Sequence, residues 1–197
     1  MRSLLMVSIL ISSALYAVNP GDQAPSFKLK DQMGKEVSLS DFKDKIVVLE
    51  WYNQGCPFVR KHYDAGNMQK TQKEVQNNED VVWLTINSSA KGKQGHLKDS
   101  KAALLQLKEE KSNALHMLLD HNGSVGQAYG AKTTPHIYVI GKKGMIQYVG
   151  AMDSISSANK ADIPKADNYA LNAVNRVIAG QKPNPQKTRP YGCSVKY

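Results

Sequence analysis

The sequence predicts an α/β domain: one mixed β-sheet flanked by helices, with a short N-terminal hairpin and a C-terminal tail. Three observations carry this expectation. Two apolar, β-branched runs, KIVVLEWY (45–52) and DVVWLTIN (80–87), alternate little, as strands buried on both faces do. Residues 57–78 between them are rich in helix formers, giving a strand-helix-strand unit whose crossover is expected to be right-handed. HIYVIG (136–141) and MIQYVG (145–150) share the Gly-Lys-Lys-Gly turn at 141–144 and predict an antiparallel hairpin.

The elements follow in order. Residues 1–17 read as a signal peptide: Arg2 is the charged start, Leu4 to Ile11 the apolar core, and small residues lead to Ala14 and Ala17, the two alternative cleavage points. The core is too short to span a bilayer, so no stable membrane span is expected. Residues 18–180 form the predicted domain, opening on short alternating runs around a turn at Met33-Gly34. The helical stretch after the first strand carries a break at Ala65-Gly66-Asn67. Leu97, Ala102, Leu104, Leu105 and Leu107 give the segment 97–111 an apolar helical face, residues 116–120 a short strand, and 121–131 a helix opening at Gly123. The last helix, 166–180, ends at Gly180 as C-terminal capping predicts. The tail, 181–197, is punctuated by prolines and has no core-forming pattern.

Composition narrows the function classes. The chain has 197 residues, enough to bury one core, and a formal charge of +9. Its lysines are interspersed with acids and lack interleaved aromatics, so a solvated basic surface is expected and not a nucleic-acid platform. Export implies an oxidising compartment, periplasmic or extracellular, in which two cysteines can pair. Only Cys56 and Cys193 are present, and only the fold can bring them together.

Cys56 stands just past the first buried strand and before Pro57, which suits the first position of a helix and makes Cys56 its N-cap. A thiolate there meets free backbone N–H groups and the helix dipole, which lower its pKa. Arg60, Lys61 and His62 are candidates to add positive charge, and Glu50, at the strand end, is a candidate proton acceptor. The reading is a reactive thiolate; the alternative is a buried cysteine that packs as a small hydrophobe.

These residues resemble a family. A strand leading into a cysteine at a helix start, followed much later by AKTTPHIYVIGKKGMIQYVG, is similar to the thioredoxin superfamily, in which a cis-proline packs against the active cysteine; Pro135 matches it. The opening PGDQAPSFKLKDQMGKEVSLSDFKDKIVVLEWY resembles redoxin domains. GCPFVRKHY, AGNMQ, VWLTINSSAKGKQGH and PYGCSVKY together resemble an exported, peroxiredoxin-like bacterial subfamily, related to alkyl hydroperoxide reductase and thiol-specific antioxidant, over about residues 19–197.

The resemblance implies a thioredoxin-like fold and thiol-dependent oxidoreductase chemistry. Cys56 would be the attacking thiol, Arg60 would stabilise it, and Thr134, Pro135 and His136 would shape the site. Cys193 would resolve the oxidised thiol, in cis or across a homodimer; the alternative is a permanent disulfide staple. No bound cofactor is implied, because sulfur carries the electrons, with a thiol reductant protein as partner and a peroxide or protein disulfide as substrate. Two departures bear on mechanism. Val59 stands where thioredoxins carry their second cysteine, and Leu49 and Asn53 stand where peroxiredoxins carry proline and threonine or serine. A periplasmic thiol-disulfide exchanger and a copper-binding redoxin using His62 or His136 are the alternative readings.

Overall fold

The computed structural model describes residues 17–197. The leader reading, apart from Ala17, lies outside the described residues. Among the described residues, nine strands and five α-helices follow one another as β1 (Lys28–Lys30), β2 (Glu36–Ser38), β3 (Ile46–Trp51), α1 (Pro57–Asp64), α2 (Asn67–Val75), β4 (Val81–Asn87), α3 (Ser100–Glu109), β5 (His116–Leu119), α4 (Ser124–Tyr129), β6 (Thr133–Thr134), β7 (His136–Ile140), β8 (Ile146–Gly150), α5 (Tyr169–Ile178) and β9 (Cys193–Ser194). Seven of the strands form one mixed sheet in the order β2-β1-β5-β4-β3-β7-β8. β3 lies inside it, parallel to β4 and antiparallel to β7.

Strand alternation sorts the core into two layers. Ile46 and Val48 face a cluster with Val59, Tyr63 and Met68 of α1 and α2, Ala103 of α3 and Ala173 and Val174 of α5. Val47, Leu49 and Trp51 face the other cluster, with Val18, Phe27, and Val125 and Tyr129 of α4. Every residue of β3 is buried, which is why its sequence shows no polar face. The helix break falls where expected: Gly66 precedes α2 at φ +72°, a left-handed conformation that glycine adopts without a Cβ clash. The helices predicted over 97–111, 121–131 and 166–180 are shorter than their sequence patterns. Asp99 and Asn168 cap the first and last, accepting from the N–H of Ala102 and Leu171, and Gly123 precedes the middle one.

The tail departs from expectation. It is docked along its length although it forms no amphipathic element. Its 186–188 segment exchanges backbone hydrogen bonds with Val149, at 3.1 Å each. Gly192 and Cys193 lead into β9, which pairs antiparallel with β6, Thr134 opposite Cys193. Beyond that, Val195 N–H donates to the Lys132 carbonyl and Tyr197 OH to the Ala131 carbonyl. Periodicity arises only where one element buries a continuous face. This segment is held by single side chains and backbone bonds, which leave no period to read.

Candidate active site

The chain turns sharply after β3, and Asn53 holds the turn. Its side-chain carbonyl accepts from Gly55 N–H at 2.8 Å, and its amide donates to the Gln94 carbonyl at 3.0 Å. The turn delivers Cys56 to the N-cap of α1 with Pro57 in the first helical position. Thr134, joined to Pro135 by a cis peptide, meets it from the start of β7; the Cys56 thiol donates to the Thr134 carbonyl at 3.0 Å.

The tail brings the second cysteine to the first. β9 sets Cys193 opposite Thr134, whose carbonyl accepts from the Cys56 thiol, so the two cysteines lie close enough for each to shift the other's pKa. Sequence separation of 193 − 56 = 137 positions is thus closed within one chain. Burial pushes the Cys56 pKa up, but the polar groups of the neighbouring Thr134 and Cys193 and the Val59 N–H outweigh it and hold the thiol below its ordinary value. Cys193 moves the opposite way, to about 11, through burial and the neighbouring Cys56 thiolate. Of the two thiols, Cys56 is therefore the one that ionises first. The expected titration of the reduced protein, followed by thiolate absorbance, has one midpoint below the ordinary thiol value of 9.0 and one near 11. Cys193→Ala raises the lower midpoint, because it removes the neighbouring thiol that helps to hold it down; an unchanged lower midpoint would refute the pairing.

Arg60 corrects an expectation. Its guanidinium is bound to the buried carboxylate of Glu110, which also accepts from Tyr52 OH, and lies 3.4 Å from Asp64 at i+4. It is a strut between α1 and the C-cap of α3, and the largest influences on the Cys56 thiol come from burial, Thr134, Cys193 and the Val59 N–H. His136 corrects another. β7 alternates Ile137 toward the Cys56 layer, so His136 and Tyr138 point to the opposite one, where the two rings pack at 4.6 Å. Burial lowers the His136 pKa to about 3 and keeps the ring neutral. His62 is also buried and neutral, its pKa lowered to about 4, and it bonds Asn67 and Tyr191 instead of either sulfur.

Three residues that the sequence reading missed fix the tail. The Lys61 ammonium is buried against Asp153 at 2.8 Å, the Ile155 carbonyl at 2.9 Å and Tyr191 OH at 3.2 Å. Tyr191 OH in turn donates to Asp153, and its ring packs edge-on against Phe58 of α1. Tyr191 and Tyr197 bracket Cys193 in the sequence, and two aromatics in a short polar tail were the available signal. Gly192 was the third. At φ +134° it brings the backbone so close to Thr134 that an added Cβ would overlap the Thr134 carbonyl oxygen and lie 2.9 Å from its carbon.

Glu50 sits in the Cys56 layer, fully buried, accepting from Tyr63 OH at 3.0 Å and Trp83 Nε1 at 2.9 Å. Desolvation wins over these bonds and pushes its pKa up to about 7. Between the ordinary value of 4.5 and about 7 the folded protein keeps a proton that the unfolded chain has lost. Stability therefore falls as pH rises through that window, by about 3 kcal/mol or less. Urea unfolding at pH 5 and pH 7.5 should show this fall in the wild type and its loss in Glu50→Gln; an identical fall in the variant would exclude Glu50 as the cause.

Comparison with known proteins agrees with this geometry. Over 148 residues, 74% of this chain and 81% of its relative, the sequence is 29% identical to Thioredoxin-like protein YneN of Bacillus subtilis (strain 168). It is 30% identical over 144 residues to chloroplastic Peroxiredoxin Q of Triticum aestivum, covering 67% of this chain and 58% of that protein. The fold matches the crystal structure of a hypothetical protein from Sinorhizobium meliloti 1021 with TM-score 0.75 at 22% identity, over 92% and 96% of the two chains. It also matches the thioredoxin domain of a thiol-disulfide oxidoreductase from Bacteroides vulgatus, with TM-score 0.55 at 21% identity, over 76% and 98%. The model of the AhpC/TSA family matches residues 20–149, so the chain belongs to the AhpC/TSA family and is a thiol-dependent redoxin with a thioredoxin-like fold.

Proposed function

We propose that the protein is a thiol-disulfide oxidoreductase whose redox couple is Cys56 and Cys193, cycling between a dithiol and an intramolecular disulfide. The observation that carries this reading is the pairing of β9 with β6, which sets Cys193 opposite Thr134, the residue whose carbonyl accepts from the Cys56 thiol. Disulfide exchange needs a thiolate and a second sulfur within reach, and the docked tail supplies both. The position filled by Val59 leaves no local partner, so β9 takes over that task from the far end of the chain. Neither His62 nor His136 reaches the sulfurs, which removes the ligand pair that a copper-binding reading requires.

Peroxide reduction is the second reading, favoured by the likeness to Peroxiredoxin Q. The Cys56 thiolate would attack a peroxide oxygen and release water or alcohol. Cys193 would then condense with the sulfenic acid and release water. This reading is weaker because Cys56 is fully buried, Asn53 is engaged with Gln94 and Gly55, and Arg60 is engaged with Glu110. Neither Asn53 nor Arg60, at positions near Cys56 in sequence, is left to polarise a peroxide. Export, to which residues 1–17 point, belongs to the same proposal. It is checked by the mature N-terminus in a periplasmic or culture-medium fraction, and an intact leader on cytoplasmic protein would refute it.

One assay separates the two chemistries. Reduction of insulin disulfides and consumption of hydrogen peroxide are followed with the wild type, Cys56→Ser and Cys193→Ser. Expected is exchange that both substitutions abolish, with peroxide consumed no faster than by a simple thiol. Full insulin activity in Cys193→Ser would overturn the couple, and rapid peroxide turnover that needs both cysteines would favour the second reading.

A further inference from the structure

The two sulfurs differ in access. Cys56 has 0% of its surface exposed, whereas Cys193 lies against it and is partly open to solvent. The tail is tied down on both sides of Cys193, by Tyr191 in the Lys61–Asp153 cluster and by Val195 on Lys132. A cleft of about 670 Å³ reaches Gly192, the residue before Cys193, and is walled by Thr133, Tyr191, Ala151, Asp153 and Ser154. Arg189 lines this cleft, exposed and without an ion pair or side-chain hydrogen bond among the described residues. The whole chain carries a formal charge of +9.

We propose that thiol partners exchange with Cys193 and not with Cys56, and that they arrive through this cleft with an acidic residue beside their own thiol. The proposal rests on the Cys56/Cys193 couple and specifies which of its sulfurs faces the partner. In the oxidised protein a partner thiolate attacks the Cys193 sulfur. The partner-to-Cys193 bond forms, the Cys56-to-Cys193 bond breaks, and the electron pair leaves on Cys56. A second thiolate of the same partner then attacks the partner's sulfur in this mixed disulfide and expels Cys193, which takes up a proton. The protein has gained two electrons, and the partner dithiol has become a disulfide.

Geometry and leaving-group chemistry agree on this direction. Attack on Cys56 would have to pass the sulfur that covers it. It would also expel Cys193, the harder of the two thiols to ionise, whereas attack on Cys193 expels Cys56 at the N-terminus of α1, the thiol held below its ordinary pKa. The thiol that ionises more easily leaves faster. Arg189 and the basic surface select among partners by attracting those with acidic flanks.

The test uses the oxidised full-length mature chain, its internal disulfide first verified by mass spectrometry with alkylation. Failure to form that disulfide refutes the functional reading itself, before the further proposal is reached. The probes are two capped hexapeptides with a single cysteine, flanked either by Asp and Glu or by Lys. A single thiol cannot resolve the mixed disulfide, so acid quenching and N-ethylmaleimide at low pH capture it. Expected is peptide on Cys193 with maleimide on Cys56, and the reverse assignment overturns the proposal. Corrected for each peptide's thiolate fraction, the acidic peptide should react about tenfold faster at low salt, and Arg189→Glu should erase that preference. Equal rates in the wild type, or a preference unchanged in the variant, would remove the cleft from the account.

Discussion

Replacing Gly192 by valine is expected to slow formation of the Cys56–Cys193 disulfide by about a hundredfold or more while leaving the domain folded. The reasoning starts from the backbone. Gly192 lies at φ +134°, a conformation that L side chains rarely adopt, and its Cβ position falls on the Thr134 carbonyl. The variant can relieve this overlap by moving the Thr134–Pro135 segment or by releasing the tail. The segment opens β7, between β3 and β8, whereas β9 is two residues long, so the tail is the part that yields. Loss of the β6–β9 pairing carries Cys193 off the Cys56 sulfur, and a displacement of ~1 Å between reacting groups is enough to cost about 10² in rate. Quenched-flow mass spectrometry of reduced protein mixed with a small disulfide oxidant measures the rate. The Cys56 thiolate midpoint should rise in the same variant, since the Cys193 groups that stabilise it leave together. Disulfide formation at the wild-type rate would show that docking of β9 does not set the geometry.

The fold was legible where burial imposes a pattern. β3 and β4 are buried along nearly their whole length, so their sequences show the unbroken apolar runs of interior strands. Gly66 marked the helix break because its backbone geometry excludes other residues at low cost. Of the site, the position of Cys56 could be read because strand, proline and helix are local signals. The opposite placement of His136 follows from strand alternation: in β7, adjacency to Pro135 in sequence puts the side chain on the other face of the sheet. Arg60 was misassigned because charge near a cysteine in sequence says nothing of which carboxylate lies nearer in space, and Glu110 comes from a helix 50 positions away. The tail was illegible for a different reason. Its docking depends on individual fits, Gly192 under the Thr134 carbonyl and Tyr191 on Asp153, and such fits carry no repeat.

The thiol proposed to react also lacks the surroundings of both parent chemistries. The thioredoxin pattern places the second sulfur three residues on, where α1 instead buries Val59 in the core. The peroxiredoxin pattern places a hydroxyl three residues before, where Asn53 instead ties the turn to the loop at Gln94. Both positions serve stability, and the second sulfur returns through the tail. The anchor that holds this tail is therefore expected to be under strong energetic demand.

Lys61→Met should test that demand, with an expected loss of about 3–5 kcal/mol. Lys61 and Asp153 have side-chain exposures of 0% and 3%, so their ion pair is desolvated on both sides. An intact buried pair contributes modestly, because desolvation offsets most of its Coulomb energy, but removing one partner strands the other charge. Among the described residues, His62 is the other cation-forming side chain within 4 Å of Asp153. His62 is 3.9 Å away, yet burial lowers its pKa to about 4 and leaves it neutral near pH 7. For a chain of this size each kcal/mol shifts Tm by roughly 2–4 °C, so thermal unfolding should fall by roughly 6–20 °C. The double variant Lys61→Met/Asp153→Leu removes the stranded charge and should regain a large part of the loss. It should not regain the disulfide rate, since Tyr191 still lacks its Asp153 partner and the tail its anchor. A single variant within 2 °C of the wild-type Tm (less than about 1 kcal/mol) would mean that water reaches Asp153 and that the cluster holds the tail by packing alone.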